Sequence, residues 1–132
     1  MAKGKEKHEE RQAALGLLGK DLARRARSRC EVCETAGVPL RAYEVPPAPR
    51  EPEMDRCALI CQNCERVLEN TRLEMADAEW RCLGNTLWSD VPGVQVAVVR
   101  LLRRLAPKAD WARELLENAL LDEETLAWAD QG

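Results

Sequence analysis

The chain has 132 residues, with six cysteines, four tryptophans, one histidine, no phenylalanine and a formal net charge of −3. This length suffices for one modest domain, and no segment is basic enough to identify a nucleic-acid domain by charge alone. Residues 2–11 are mostly charged and no apolar run reaches the roughly 18 residues of a membrane span, so neither a signal peptide nor a membrane segment is predicted. We therefore expect a reducing, cytoplasmic location, in which cysteines bind metals rather than form disulfides.

The N-terminal part predicts one helix behind a short tail. Residues 1–8 are mostly polar and should form a solvated, frayed tail that carries His8, the single histidine. From about Glu9 to Ser28, apolar residues recur at spacings of three and four, which indicates a helix. Two glycines weaken its first half, so a break near Asp21 is an open alternative. The apolar stripe consists of Leu15, Leu18, Leu22 and Ala26.

Two Cys-x-x-Cys pairs carry the strongest signal in the sequence. Cys30 and Cys33 form the first pair, and Cys61 and Cys64 form the second after a gap of 27 residues. Two thiolates of one tight turn can reach a single ion at about 2.3 Å each, so two pairs complete a tetrahedron. The spacing predicts one structural Zn²⁺ per chain, held by these four cysteines, with disulfides or a redox dithiol as the alternatives.

The segment between the two pairs has the pattern of a β-hairpin. Leu40–Val45 alternates weakly and predicts a strand, a proline-rich surface loop follows, and Arg56–Ile60 predicts the returning strand. A helix should begin within residues 61–70, where its free N–H groups would stabilise the second pair of thiolates. The turn that holds Cys30 and Cys33, called the knuckle below, is thus followed by a hairpin and a helix. This order is typical of a treble-clef or ribbon zinc finger. The two other cysteines, Cys57 and Cys82, are interpreted as packing residues.

Everything from Asp77 onward predicts short helices. Asp77 can begin a helix that ends near Gly84. Residues 91–105 predict a helix that is buried on most sides, although its VQVAVV stretch also alternates like a strand. Asp110 and Asp122 should begin two further helices. The tryptophans are interpreted as anchors of the core between these helices, namely Trp80, Trp88, Trp111 and Trp128.

Two of the predicted helices carry arginines on their polar faces. These side chains are the candidates for phosphate contact if the protein binds nucleic acid, although a solvated face is the simpler interpretation. A nucleic-acid interface would require both groups on one continuous surface. The candidates are Arg24 and Arg27 in the first helix and Arg100, Arg103 and Arg104 in the helix over residues 91–105.

No recognisable constellation of catalytic residues accompanies the zinc signal. A site closed by four thiolates leaves no position for substrate or water. The finger scaffold also resembles that of HNH-type nucleases, which carry histidines at the places where this chain has Tyr43, Glu44 and Glu65. We therefore predict that the protein is not an enzyme and has no catalytic residues.

Several stretches together resemble the PhnA-type family, which is named for alkylphosphonate utilisation. They are KDLARRARSRCEVC, YEVPP, LICQNC, EWRCLGNTLWSDVPGVQVAVVRLLRRL and LDEETLAWA, within roughly residues 15–130. The resemblance implies an N-terminal zinc ribbon, with the four paired cysteines as its metal ligands, and no defined activity. The sequence departs from the family in having Glu34 after Cys33, where a glycine is common, and in ending at Gly132 without the SH3-like domain of longer members.

Together these features predict a mostly helical α+β protein, with a small zinc ribbon or treble-clef finger packed against a bundle of short helices. The predicted segments are a tail and helix over 1–28, the four-cysteine ribbon over 29–75, and a helical region over 76–132 that should keep an apolar core of its own. The predicted function is a non-catalytic zinc-binding interaction module with a protein partner and no membrane association. Nucleic-acid binding through the arginine faces is the alternative, and an enzyme of phosphonate metabolism is implied only by the family name.

Overall fold

The protein is mostly helical, with one small β-hairpin in the first half of the chain. A computed structural model describes the backbone of residues 2–131 and the side chains of residues 7–131. Within that part of the chain, six α-helices and a two-stranded antiparallel sheet form the predicted α+β architecture. None of the described helices combines the length and apolar character needed to cross a membrane. The elements are α1 (Ala2–Ala26), β1 (Leu40–Glu44), β2 (Cys57–Cys61), α2 (Gln62–Glu69), α3 (Leu83–Thr86), α4 (Pro92–Leu105), α5 (Asp110–Asn118) and α6 (Glu123–Gln131), with 3₁₀ turns at Met54–Arg56 and Asp77–Trp80.

The hairpin lies between two separate apolar clusters. Successive side chains of a strand point to opposite faces of a sheet. On β2, Leu59 packs in a cluster with Leu15 and Leu22 of α1, whereas Ile60 belongs to the main core with α4. Helix α1 and the bundle of short helices therefore cover opposite faces of the hairpin.

Helix α4 is the centre of the main core. It contacts α3, α5, α6 and β2, and its apolar residues are buried around most of its circumference. The VQVAVV stretch is a helix despite its strand-like alternation, because it continues into LLRRL within one 14-residue helix whose apolar residues recur at helical spacing. The prediction of a helix buried on most sides is confirmed. Its buried residues are Gly93, Val94, Val96, Ala97, Val98, Val99, Leu101, Leu102 and Leu105.

The N-terminal helix is longer and more regular than the sequence analysis predicts. Helix α1 begins at Ala2, so the prediction of a frayed tail over residues 1–8 is wrong for the part that the structure describes. The alternative of a break near Asp21 is also wrong. Lys, Glu, Arg and Gln dominate the first turns and are good helix formers, and the leucine stripe that follows is held by its burial against the hairpin.

The C-terminal region divides more finely than predicted. The helix expected from Asp77 to Gly84 is a 3₁₀ turn followed by the four-residue helix α3. At the start of α6, the backbone N–H of Thr125 donates to the carboxylate of Asp122 at 2.7 Å, which is the predicted cap. Short helices joined by tight turns let this region wrap around α4.

The tryptophans have different roles. Trp80 and Trp128 are buried in the main core, as predicted. Trp111 is partly buried, and its indole N–H donates to the carboxylate of Asp77. The side chain of Trp88 is 56% exposed, so the prediction that it anchors the core is wrong.

Gly93 lies where α4 crosses the turn that precedes β2. A Cβ at this position would lie 2.9 Å from the backbone carbon of Arg56 and 3.0 Å from both the Asp55 carbonyl oxygen and the Cys57 nitrogen. We expect Gly93→Ala to lower the free energy of unfolding by about 1–3 kcal/mol, because the backbones must move apart. Gly16→Ala is the matched control, since a Cβ there meets nothing within 4 Å, and it should raise stability by about 0.5–1 kcal/mol. Urea denaturation measures both, and a stabilising Gly93→Ala would contradict the close approach.

Candidate metal centre

Two local structures place the four paired cysteines. The first pair lies in a tight turn in which the Cys30 N–H donates to the Thr35 carbonyl and the Glu34 N–H donates to the Cys30 carbonyl, both at 2.9 Å. Cys61 ends β2 and is also the N-cap of α2, so Cys64 falls in the first turn of that helix. A strand that runs directly into a helix therefore brings the second pair beside the first. This is the predicted order of knuckle, hairpin and helix.

The four sulfur atoms have the spacing of a tetrahedral metal site. The Sγ atoms of Cys30 and Cys64 are 3.7 Å apart, as are those of Cys33 and Cys61, and all four lie within 4.8 Å of one another. Zn²⁺ binds thiolates at about 2.3 Å, so two corners of an ideal tetrahedron are separated by about 3.8 Å. The closest sulfur pairs match this edge. The residues therefore fit a metal of the size and ligand preference of zinc.

The electrostatics of the cluster also favour a cation. Hydrogen bonds from the thiols of Cys33 and Cys64 lower the pKa of Cys30 to about 2. The hydrogen bond to Cys30 raises the pKa of Cys33 to about 12, and hydrogen bonds to Cys30 and Cys33 raise the pKa of Cys64. One thiolate thus keeps its neighbours protonated. A bound divalent metal would replace the shared protons and stabilise all four thiolates.

The cluster is largely enclosed by protein. Cys30, Cys61 and Cys64 are buried, and only Cys33 is partly exposed. The backbone N–H of Cys33 is 3.4 Å from the sulfur of Cys30, a contact that stabilises a thiolate. In the described part of the chain, no other group of three or more Cys, His, Asp or Glu side chains comes close enough to share an ion.

The two other cysteines lie outside this cluster. Cys57 is buried at the start of β2 in the apolar cluster with α1, and desolvation raises its pKa to about 11. Its interpretation as an apolar packing residue is confirmed. Cys82 is partly buried, and its sulfur lies 3.8 Å from the carbonyl oxygen of Glu79.

An ion pair behind the first knuckle is a feature that the sequence analysis missed. Arg25 of α1 donates to both carboxylate oxygens of Glu31, at 3.0 and 2.7 Å, and also to the backbone carbonyls of Met54 and Cys57. The same carboxylate accepts the Leu59 N–H at 2.8 Å. Glu31 lies between the two cysteines of the knuckle, so this network ties the metal turn to α1 and β2.

A signal for this network was present in the sequence. Arg25 follows Leu22 by three residues, which places it on the apolar stripe of α1. Arg11, four residues before Leu15, lies at the other end of the same stripe. A charged side chain on a core-facing stripe needs a buried partner. Arg11 and Arg25 have such partners in Glu44 and Glu31.

The arginines of α4 bind their own chain. Arg100 donates to the carbonyl of Trp128 at 2.7 Å near the end of α6, and Arg104 donates to the carbonyl of Val67 at 2.5 Å near the end of α2. Desolvation lowers the pKa of both side chains. The expectation of a solvated polar face is therefore wrong for these two residues. Their cations neutralise orphan carbonyls at helix C-termini.

The remaining candidate arginines are more accessible. Arg103 is exposed and pairs with Asp130 at 2.7 Å. Arg24 and Arg27 are exposed near the C-terminal end of α1. Because α1 and α4 pack on opposite faces of the hairpin, the two groups of arginines lie on different sides of the finger.

The residues at the HNH-equivalent places, Tyr43, Glu44 and Glu65, line one cleft of about 440 Å³. Glu44 is held by Arg11, which donates to both of its carboxylate oxygens at 2.6 and 2.5 Å. Glu65 forms an ion pair with Arg41 at 3.4 Å. Desolvation raises the pKa of Tyr43, which is partly buried beside them. The two carboxylates thus have basic partners within the protein.

Glu34 occupies the position after the first cysteine pair with a positive φ of 69°. Left-handed backbone suits glycine and disfavours residues with a Cβ. We expect Glu34→Gly to raise the free energy of unfolding of the metal-loaded protein by about 0.5–1 kcal/mol. The gain is partial because Glu34 also accepts a hydrogen bond from the Asn85 side chain at 3.2 Å.

Thermal and urea denaturation of the loaded protein would measure this effect. Glu34→Ala is the matched control, because it removes the carboxylate and keeps a Cβ at the strained position. The difference between the two variants isolates the backbone contribution. Equal stability of both variants would contradict it.

The fold and the cysteine cluster together define a small treble-clef-like protein with a candidate metal centre of four thiols. Comparisons with protein-family models, curated proteins and solved structures found no match to this chain.

Proposed function

We propose that this protein is a non-catalytic zinc-binding interaction module. Cys30, Cys33, Cys61 and Cys64 would hold one Zn²⁺ per chain, and the metal would fix the finger on which a protein partner docks. The observation that carries the proposal is the 3.7 Å separation of the sulfurs in two cysteine pairs, close to the edge of a zinc–thiolate tetrahedron. The resemblance to PhnA-type proteins supports a ribbon of this kind.

Four thiolates around one ion account for a structural role. They occupy every tetrahedral position, so no water or substrate can bind the metal directly. Glu44 and Glu65, the carboxylates nearest to a nuclease-like arrangement, have arginine partners. We therefore expect no hydrolysis of phosphonates, DNA or RNA. Turnover that co-purifies with the protein and is lost in Glu65→Gln would overturn the non-catalytic assignment.

Metal content tests the binding itself. Protein purified from cells without added metal should contain about one zinc per chain, and Co²⁺ exchange should give the charge-transfer bands of a tetrahedral thiolate site. Cys64→Ser should lose both signals. Cys82→Ser is the matched control, since Cys82 lies outside the cluster, and it should keep them. A folded, metal-free wild-type protein would refute the proposal.

A pull-down from a native extract tests the interaction role. We expect the loaded protein to retain a partner that the chelator-treated protein and Cys64→Ser release. Retention of the same partner by both metal-free forms would show that the finger does not carry the interface.

A further inference from the structure

The outer edge of β2 is fully occupied by groups of the same chain. In an antiparallel pair, the N–H and C=O groups of successive residues point alternately toward the partner strand and away from it. The Leu59 N–H donates to the Glu31 carboxylate, and the Leu59 carbonyl accepts the Glu31 N–H, both at 2.8 Å. The Cys57 N–H donates to the Met54 carbonyl, and the Cys57 carbonyl accepts from Arg25 at 2.8 Å. This edge of the hairpin is therefore closed.

The outer edge of β1 is open. The Val45 N–H points toward the other strand and donates to the Arg56 carbonyl at 3.1 Å. The outward groups of β1 therefore belong to the alternate residues Leu40, Ala42 and Glu44. In the part of the chain that the structure describes, no hydrogen bond reaches the outward N–H or C=O groups of these three residues. Every residue of β2 is buried, whereas none of β1 is fully buried, so this edge is accessible to a partner.

The open edge borders a cleft between two helices. The cleft has a volume of about 440 Å³ and runs beside residues 41–44, with Gln12 and Leu15 contributed by α1 and Glu65 and Leu68 contributed by α2. A groove of about 540 Å³ along α1 adjoins the cleft, because Gln12 and Leu15 line both. The unpaired backbone groups thus face open space that continues along the helix.

We propose that this edge binds an extended segment of a partner protein, which adds a third strand beside β1. Alternating N–H and C=O groups along a strand edge are matched by the backbone of another strand. A second copy of this chain fits less well, because its own α1 and α2 flank its β1 and would have to enter the same cleft. A linear segment carries no such helices. The proposal rests on the proposed interaction role, and it names the surface and the chemistry of the partner.

The two sides of the open edge differ in chemistry. The groove on the α1 side is lined mostly by small and apolar residues, and a Cβ at Gly16 would meet nothing within 4 Å, which leaves room for a branched apolar side chain. On the α2 side, Glu65 pairs with Arg41 at 3.4 Å. Glu69 is exposed there and has no ion pair among the described residues. Because successive side chains of a strand point to opposite faces, the bound segment should alternate apolar and basic residues.

Peptides of about eight residues, the length of an ordinary strand, test the mode of binding. In fluorescence anisotropy, a labelled peptide of alternating valine and lysine should bind the zinc-loaded protein. The same residues arranged in two blocks should bind about tenfold more weakly, because the apolar and basic side chains no longer fall on opposite faces. Only one set of alternate N–H groups can face β1. N-methylation of either the valines or the lysines should therefore weaken binding about tenfold or more, and methylation of the other set should not.

Variants of the protein locate the site. Ala42→Pro removes an outward N–H without removing a bond to β2, so it should weaken binding about tenfold or more, whereas Ala42→Ser keeps the N–H and should not. Gly16→Leu should fill the groove, and Ala13→Leu, at an exposed position outside the groove, is its control. Glu69→Lys should lose the preference for a valine–lysine over a valine–glutamate peptide. Glu117→Lys, at an exposed position of α5, makes the same change in charge and should keep it.

The outcomes separate this inference from the metal proposal. Zinc stoichiometry and helical circular dichroism should be those of the wild type in each variant, and the methylated peptides test the same edge without any change in the protein. If zinc-loaded protein does not bind the valine–lysine peptide at about 1 mM, this inference fails while the zinc assignment stands. Equal effects of the two methylated peptides would exclude strand pairing. A dimer of the loaded protein that Ala42→Pro dissociates would assign the edge to a second copy instead.

Discussion

Removing the zinc proposed at the four paired cysteines is expected to unfold the whole described protein rather than the finger alone. The main core contains Val32 of the knuckle and Ile60 of β2 together with Trp80, Leu87 and Val98 of the helical region. Binding of a structural zinc contributes on the order of 10–16 kcal/mol in zinc-finger peptides, which is comparable to the usual stability of a domain, about 5–15 kcal/mol. Loss of the finger would also expose one wall of the core around α4. Sequence periodicity alone favours a helical region that survives without the finger, whereas the shared core favours a single folding unit.

Circular dichroism and tryptophan fluorescence measure this coupling. In chelator, or in Cys64→Ser, both signals should be lost in one transition at room temperature. Cys82→Ser controls for the loss of a thiol. Its free energy of unfolding should stay within about 1 kcal/mol of the wild-type value, because Cys82 is only partly buried and lies outside the cluster. A helical signal that persists after the metal has been removed would show that residues 76–132 fold independently.

Breaking the ion pair between Arg25 and Glu31 is expected to have the second largest effect. The side chains are 19% and 8% exposed, so each replaces its lost hydration with contacts to the other and to backbone groups. In Arg25→Met the Glu31 carboxylate keeps the Leu59 N–H but loses its cation. We expect the free energy of unfolding to fall by about 3 kcal/mol, within the range for removing one partner of a buried pair.

A double-mutant cycle with Arg25→Met and Glu31→Gln tests the mechanism. The two substitutions together should cost less than the sum of the single ones, because the second no longer leaves a buried charge without a partner. Arg24→Met, at an exposed position one residue away, should change stability by less than about 0.5 kcal/mol. Additive effects, or an equal loss in Arg24→Met, would contradict a role for the ion pair. Zinc stoichiometry in the folded single variants shows whether the network also holds the metal turn.

Sequence alone predicts the parts of this protein that depend on neighbouring residues. The two Cys-x-x-Cys pairs define the knuckle and the start of α2, because two-residue gaps and helix N-termini are local features. Asp122 is recognisable as a cap for the same reason. Helix α4 follows from the length of its apolar pattern and its continuation into LLRRL, although VQVAVV by itself also alternates like a strand. The mostly helical α+β class and its central finger therefore follow from local patterns of residues.

The tertiary structure decides which charged and aromatic side chains are free. Arg100 and Arg104 lie on a face that the sequence suggests is solvated, yet their acceptors are carbonyls of Trp128 and Val67, which are distant in the chain. Trp88 is of a residue type that usually anchors a core, yet its side chain lies at the surface. The periodicity of a helix shows which residues share a face but not what covers that face. That information resides in long-range contacts, and these determine that α1, rather than α4, presents unpaired cations to solvent.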